Sequence, residues 1–263
     1  MRVIFLGDVV GEPGRLALYR ALPELRNEFS AAAIVVNGEN AAGGKGITPK
    51  IAKEFFDNGV DVITLGDHVW DQSDLVSWIS SEPRVLRPLN LQRNTPGHGS
   101  VVIHTPDGPL AVMCLQGRTF MRNGAENPFI HGEEAAQAIR EQAGANAILV
   151  DIHAEATSEK IALGYHLDGR VSAVLGTHTH VQTADARVLP GGTAYMTDAG
   201  MCGPRNGVIG REAEPVLMSY TTGMPYKLPV GGWPVMISGA CITIDEHTGY
   251  ATDITPINRI YEK

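Results

Sequence analysis

The chain is a succession of short apolar runs, each stopping at glycine or a polar side chain, with amphipathic stretches between them. Val3-Ile4-Phe5-Leu6 stops at Gly7-Asp8, and residues 15–28 then set Leu18, Leu22, Leu25 and, one place beyond, Phe29 at helical spacing. Ala33-Ile34-Val35-Val36 stops at Asn37-Gly38-Glu39-Asn40. A helix is predicted over 48–58, and 60–65 runs into Gly66-Asp67-His68. Three strand–loop–helix units in succession predict a parallel sheet with helices packed outside it. The middle predicts strands over 100–104 and 110–115 joined by a turn at Pro106-Asp107-Gly108, a helix over 133–142, and a strand over 147–152 stopping at His153. A helix over 158–167 and a strand over 171–175, stopping at Gly176-Thr177-His178, follow. From Pro190 onward Gly, Pro and Thr are frequent, and 241–245 with 250–254 predict a closing hairpin. Without repeat or linker, the chain reads as one α/β domain over 1–263.

Five strand ends carry side chains that bind metal: Asp8; Glu39 with Asn40; Asp67 with His68; His153; and His178 with His180. In a parallel sheet the carboxyl ends of the strands share one edge, so these distant residues are expected to converge. His178 and His180 are two apart, which on an extended segment points both imidazoles the same way. Imidazole with carboxylate suits manganese, iron, zinc or cobalt. Eight such groups are too many for one tetrahedral ion and fit two ions sharing a bridge, with Glu39 placed to be that bridge. Two such ions bind a hydroxide between them and clamp the oxygens of a displacement at phosphorus.

Taken singly, each residue has a plainer reading: Asp8 as a helix cap, Glu39-Asn40 as turn residues, His153 as a hydrogen-bonded core histidine. The joint pattern favours metal. His98, His104, His131, His166 and His247 fall outside it, and Trp70, Trp78 and Trp233 read as packing groups. Asp71 reads as a helix N-cap, and Gly43-Gly44-Lys45-Gly46 as a turn bordering the site, since the phosphate-loop pattern is absent. Among loop cations, Arg118 is the candidate to meet a phosphate.

Composition narrows the classes. The 263 residues are 43% hydrophobic with net charge −8, which argues against disorder and against a general nucleic-acid or anionic-membrane binder. It leaves room for a small anionic substrate, because bound metal reverses the local field. The three cysteines form no CxxC pair, so neither a disulfide framework nor a thiolate zinc site is indicated. The opening apolar run is too short for a signal segment, and no stretch reaches the ~18 apolar residues that span a bilayer. A cytoplasmic location is expected.

The chain resembles the metallophosphoesterase (calcineurin-like) superfamily and, within it, the YmdB-like phosphodiesterases, over nearly its whole length. The resemblance is carried by Gly7-Asp8-Val9-Val10-Gly11, Asn37-Gly38-Glu39-Asn40-Ala41, Gly66-Asp67-His68-Val69-Trp70-Asp71, His153-Ala154-Glu155-Ala156-Thr157-Ser158-Glu159-Lys160 and Gly176-Thr177-His178-Thr179-His180-Val181. It implies a four-layer α-β-β-α sandwich and two metal ions per subunit, iron or manganese. By the resemblance, Asp8, Glu39, Asn40 and His180 hold one ion, and Glu39, Asp67, His153 and His178 the other. His68 is the proton donor to the leaving oxygen. Val10 stands where the wider superfamily has a histidine, with Asn40 filling the vacancy, as in YmdB-like members.

The third block reads Gly-Asn-His in relatives, whereas this chain has Asp67. Two divalent ions bring four positive charges; Asp8, Glu39, Asp67 and a hydroxide bring four negative ones, so the site is neutral where asparagine would leave it positive. Asp67 is therefore expected either to favour trivalent iron or to stay protonated in imitation of the amide.

The resemblance implies a metal-dependent phosphodiesterase acting on small cyclic nucleotides, 2′,3′-cyclic and also 3′,5′-cyclic, and a homo-oligomer. Neither a membrane association nor a stable nucleic-acid complex is expected. The alternatives are a phosphomonoesterase with the same metals, and a regulatory protein that uses the metals only to recognise RNA or a nucleotide.

Overall fold

The structure, a computed structural model, describes residues 1–122 and 124–263. Strands β1 (Arg2–Leu6), β3 (Ala33–Asn37), β4 (Val62–Thr64) and β5 (Val85–Leu86) lie parallel, with α1 (Gly11–Phe29), α2 (Pro49–Asp57) and α3 (Ser73–Trp78) in the connections between them. The three expected units therefore form one half of a larger sheet. β13 (Val235–Ile244) completes it, pairing antiparallel with β1 along its later residues and with β12 (Met201–Pro204) along its first ones. β14 (Ala251–Tyr261) pairs with β13 over its whole length, so the closing hairpin is much longer than its apolar signal. The two-residue strand β2 (Asp8–Val9) lies parallel to β12.

A second sheet is built from β6 (Ser100–Thr105), β7 (Gly108–Gln116), β8 (Ala147–His153), β9 (Ala173–Thr177), β10 (Arg187–Val188) and β11 (Ala194–Met196), in the order β10-β11-β9-β8-β7-β6. α4 (Pro128–Ala138) and α5 (Thr157–His166) complete its connections.

Strand alternation sorts the apolar residues into three cores. Ile4, Leu6, Ile34 and Val36 face outward onto Leu18, Leu22 and Leu25 of α1. Their neighbours Val3, Phe5, Ala33 and Val35 face the second sheet and meet Leu110, Val112, Leu149 and Leu175. Met113, Ile148 and Val150 face outward again, onto Leu163 of α5 and Ala136 of α4. Helix, sheet, sheet, helix is thus the expected four-layer order. Leu149→Ala would open a cavity between the sheets and cost about 2–5 kcal/mol.

The helices differ from expectation chiefly at their starts. α1 begins at Gly11, with Pro13 tolerated in its first turn. α4 begins at Pro128, where Asn127 caps it by accepting the Phe129 amide at 3.0 Å. α6 (Ala213–Thr222) has no counterpart in the sequence reading, because it does not bury an apolar stripe: only Val216 is buried, while Leu217, Met218 and Tyr220 are exposed. Among the described residues no helix is long and apolar enough to cross a membrane.

Candidate metal centre

Contrary to the single-edge expectation, the five strand ends belong to two sheets. Asp8, Glu39 and Asp67 follow strands of the first, His153 and His178 strands of the second, and they meet where both sheets end. Each is set by its local backbone. Asp8 donates its amide to the Gly200 carbonyl at 3.1 Å. The Glu39 amide donates to Asn37 Oδ1 at 3.1 Å, and Asn37 Nδ2 in turn donates to Asp151 Oδ2 at 2.9 Å. Gly66 precedes Asp67 because a side chain there would strike the Glu39 carboxylate and the His153 ring.

Glu39, Asp67, His153 and His178 bring one donor atom each to within 4.8 Å of one another. His153 Nε2 lies 3.0 Å from Glu39 Oε1 and 3.2 Å from Asp67 Oδ1, and His178 Nδ1 lies 3.4 Å from Asp67 Oδ1. Beside this group, His180 Nε2 is 3.1 Å from Asn40 Oδ1 and 3.9 Å from Asp8 Oδ1. All seven expected ligands are therefore brought together in two adjoining groups.

His178 and His180 do so by a different route from the one expected. They lie beyond β9, and both have left-handed backbone, with φ of 98° and 64°. The two rings serve different groups rather than one face of a strand. Such conformations cost about 1–3 kcal/mol each and persist only where surroundings impose them. Here Asp198 Oδ2 accepts both the amide and the hydroxyl of the intervening Thr179, at 3.1 and 2.7 Å. The buried Lys160 ammonium donates to that same oxygen and to the Thr177 carbonyl, each at 2.7 Å.

The histidines share one device. His68, His153 and His180 each give one ring N–H to a fixed acceptor, which settles the tautomer and aims the other nitrogen, while His178 has a carboxylate beside its outer nitrogen. His180 Nδ1 donates to the Ile209 carbonyl at 3.1 Å, and His178 Nε2 faces Glu155 Oε2 at 3.3 Å. Thr177 gives its hydroxyl proton to Asp151 Oδ1 at 2.6 Å, so its oxygen accepts from His153 Nδ1 at 2.9 Å. His68 Nδ1 donates to Asp71 Oδ2 at 2.8 Å, leaving Nε2 to the pocket that His68 lines.

Charge is concentrated and buried. Burial opposes ionisation of His153, yet Glu39, Asp67 and Asp8 outweigh it and hold the imidazole pKa well above its ordinary value. Burial likewise works against the Glu39 and Asp67 carboxylates, but His153 outweighs it at Glu39, and His153 with His178 at Asp67, so both are held low. In the metal-free centre these neighbours favour the ionised carboxylate of Asp67 over a protonated amide mimic. Burial lifts Asp8, against the pull of His180 and His153, and lifts Asp151 to about 6.

Glu39, Asp67, His153 and His178 form a group that could hold a metal ion, and Asp8 adds a further donor beside it. Asp8 Oδ1 is buried and, among the described residues, meets no hydrogen-bond donor. His153 Nε2 and His178 Nδ1 stand 3.0 Å apart, the first on a ring whose other nitrogen is hydrogen-bonded to Thr177, the second on a ring whose other nitrogen faces Glu155. Two such nitrogens beside two carboxylates suit a borderline divalent ion. Carboxylates that attract a proton to His153 attract a cation in its place.

A pocket of about 330 Å³ opens over both groups, lined by Glu39, Asn40, His68, His178 and His180 together with Glu155 and Arg211. Arg118 lines a different pocket, with Thr119, Pro128 and Glu159, so the cation at the centre is Arg211. The sequence reading missed Arg211 and Glu155, and it took Asp71 for a cap. Asp71 stands three residues beyond His68, and Glu155 two beyond His153, so both were within reach of a search for partners of the histidines.

A family model described as "YmdB-like protein" matches residues 4–257. The chain is 44% identical over 258 residues to a protein of Bacillus subtilis (strain 168) named 2′,3′-cyclic-nucleotide 2′-phosphodiesterase, covering 98% of this chain and 96% of that one. Among solved structures it is similar to a hypothetical protein from Thermus thermophilus, at TM-score 0.91 and 39% identity, with 100% of both chains covered. A structure described as a novel phosphatase from Mycoplasma pneumoniae matches at TM-score 0.92 and 32% identity, covering 100% of this chain and 94% of that one.

Proposed function

The chain belongs to the YmdB-like family and is a phosphoric ester hydrolase, and from that premise we propose that it opens 2′,3′-cyclic nucleotides at the 2′ ester, using two divalent cations, iron or manganese. The observation that carries this reading is the pair of adjoining donor groups under one pocket, with His68 on its wall. Asp8, Asn40 and His180 would hold one cation, Asp67, His153 and His178 the other, with Glu39 shared between them. Bound there, the cations supply charge that neutralises the phosphoryl oxygens and lower the pKa of a water enough for attack at neutral pH.

The protein's own groups do the rest. Glu39 and Asp67, both ionised, keep the centre from carrying a large net positive charge. His153 and His180, each pinned through a second nitrogen, hold their donor nitrogens in place before substrate arrives, which limits reorganisation during the reaction. As the bond from phosphorus to the leaving ribose oxygen breaks, His68 passes the Nε2 proton to that oxygen, and Asp71 steadies the ring through Nδ1. The same centre is open to 3′,5′-cyclic nucleotides, since nothing in the donor set distinguishes the two esters.

The test is a substrate panel under Mn²⁺ and, anaerobically, Fe²⁺: 2′,3′-cyclic AMP and GMP, 3′,5′-cyclic AMP, bis-p-nitrophenyl phosphate and p-nitrophenyl phosphate. Preferred turnover of the 2′,3′-cyclic compounds to 3′-nucleotides is expected. Preference for p-nitrophenyl phosphate would make it a monoesterase, and saturable binding without turnover would make it a recognition protein.

A further inference from the structure

A carboxylate presents a ligating oxygen whichever way it turns in the centre, but Asn40 does not. Its amide offers an acceptor on one side and a donor on the other, with nearly identical shapes, and only the acceptor can meet a cation. What settles the choice lies behind it. Asn40 Nδ2 donates to the Gly44 carbonyl at 3.3 Å, which turns Oδ1 toward His180 Nε2, itself 3.9 Å from Asp8 Oδ1.

The Gly44 carbonyl belongs to a glycine-rich turn with few side chains to hold it: Gly43, Gly44 and Gly46 all have positive φ. Arg211 holds it instead. Its Nη2 donates to the Gly44 carbonyl at 2.7 Å, and its Nη1 to the Leu228 carbonyl at 3.2 Å and the Gly43 carbonyl at 3.5 Å. A side chain on Gly44 would strike the guanidinium, so the turn and the arginine are fitted to each other. Arg211 is itself anchored, exchanging two backbone hydrogen bonds of 2.9 Å with Val208. Between these two residues stands Ile209, whose carbonyl aims His180. One short segment, 208–211, thus braces both neutral ligands of the Asp8 group.

We propose that Arg211 is a positioning residue for the cation held by Asp8, Asn40 and His180, acting through the Gly44 carbonyl to keep the Asn40 amide oxygen turned toward that cation. The inference rests on the two-cation reading above. Its sign separates it from two simpler roles. A guanidinium beside a cation site repels cations, so if charge were its whole effect, removing it would tighten metal binding. If it served only to bind substrate phosphate, removing it would raise KM and leave metal affinity alone. A positioning role makes removal loosen one cation and spare the other.

The experiment titrates metal-free wild type and Arg211→Met, which keeps the alkyl stem, with Mn²⁺ alone, by calorimetry and by the spin-resonance signal of free Mn²⁺. Wild type should bind two equivalents. In Arg211→Met one site should be unchanged and the other weakened about 10–100-fold, the range for loss of an outer hydrogen-bond partner. In an Asn40→Asp background either oxygen can ligate, so there Arg211→Met should change affinity by less than about threefold, as for uncoupled sites. Gly44→Ala, which displaces the guanidinium without removing it, should reproduce the loss if Arg211→Met folds poorly. Unchanged or tighter binding in both variants overturns the inference, as does an equal loss with Asn40 and with Asp at that position. A single equivalent in wild type overturns the two-cation reading, and the inference with it.

Discussion

The two donor groups of the proposed metal centre stand on different supports. His153 ends β8 and His178 follows β9 directly, and the hydroxyl that orients His153 belongs to β9, which pairs with β8. Around His180, Asp8 stands on β2, but the two neutral donors are set by turns: a glycine-rich loop behind Asn40 and the segment 208–211 behind His180. Strand-borne geometry is held by the two sheets' shared core, whereas turn-borne geometry depends on a few hydrogen bonds that can open locally. The first half should therefore bind its cation tightly, and the second should be where occupancy varies.

The most severe way to break this comparison is His153→Ala. It removes a donor of the strand-borne half and the partner of Glu39 and Asp67, and turnover should fall by about a thousandfold or more, with loss of one metal equivalent. Retention of both metals and of turnover would show that the strands do not set the centre. His68→Ala sharpens the contrast differently. Both cations should stay while kcat drops by ~10²–10⁴-fold, the usual worth of a general acid, and wild-type kcat would remove His68 from the mechanism. Thr177→Val breaks the link from Asp151 to His153. About a 10–100-fold loss of affinity is expected at the strand-borne site alone, read by Mn²⁺ titration.

The smallest effect belongs to Asp67→Asn. The folded state holds the Asp67 carboxyl below its ordinary value, against burial, through His153 and His178. Its contribution is thus present above the unfolded pKa of about 3.9 and is lost as pH falls through the folded one. Metal-free Asp67→Asn should be less stable than wild type by about 1–3 kcal/mol at neutral pH, with the gap closing as pH drops below about 4, in urea melts. A pH-independent gap would mean that the charge is not the cause. In the loaded enzyme the same change makes the centre more positive and should raise phosphodiesterase turnover or alter which metal supports it.

Much of this was legible because Asp8, Glu39, Asp67 and His153 each terminate or follow an apolar run, and their recurrence at strand ends has a joint meaning that each plainer single reading lacks. The periodicity identified strands but not their sheets, since β1 and β8 look alike as apolar runs while their partners are set by crossovers. The His178–Thr179–His180 turn was hidden, because its left-handed backbone is imposed by Lys160 and Asp198, the latter 20 residues beyond His178. The Ile209 carbonyl carries no side-chain signature at all. Arg211 lies in a stretch whose helix exposes its apolar residues, so nothing in the pattern marked that region as part of the centre.

β13 carries a consequence for how the molecule is assembled. Gly7, next to Asp8, donates its amide to the Ser238 carbonyl of β13, and β2 is paired to β12, which β13 also supports. Residue 8 thus takes its final position only when partners some 230 places later have been made and inserted beside β1. During vectorial synthesis, the centre closes late. Contacts of such separation make folding slow, and a nascent chain halted before that insertion would carry every ligand yet lack the frame on which Asp8 is hung.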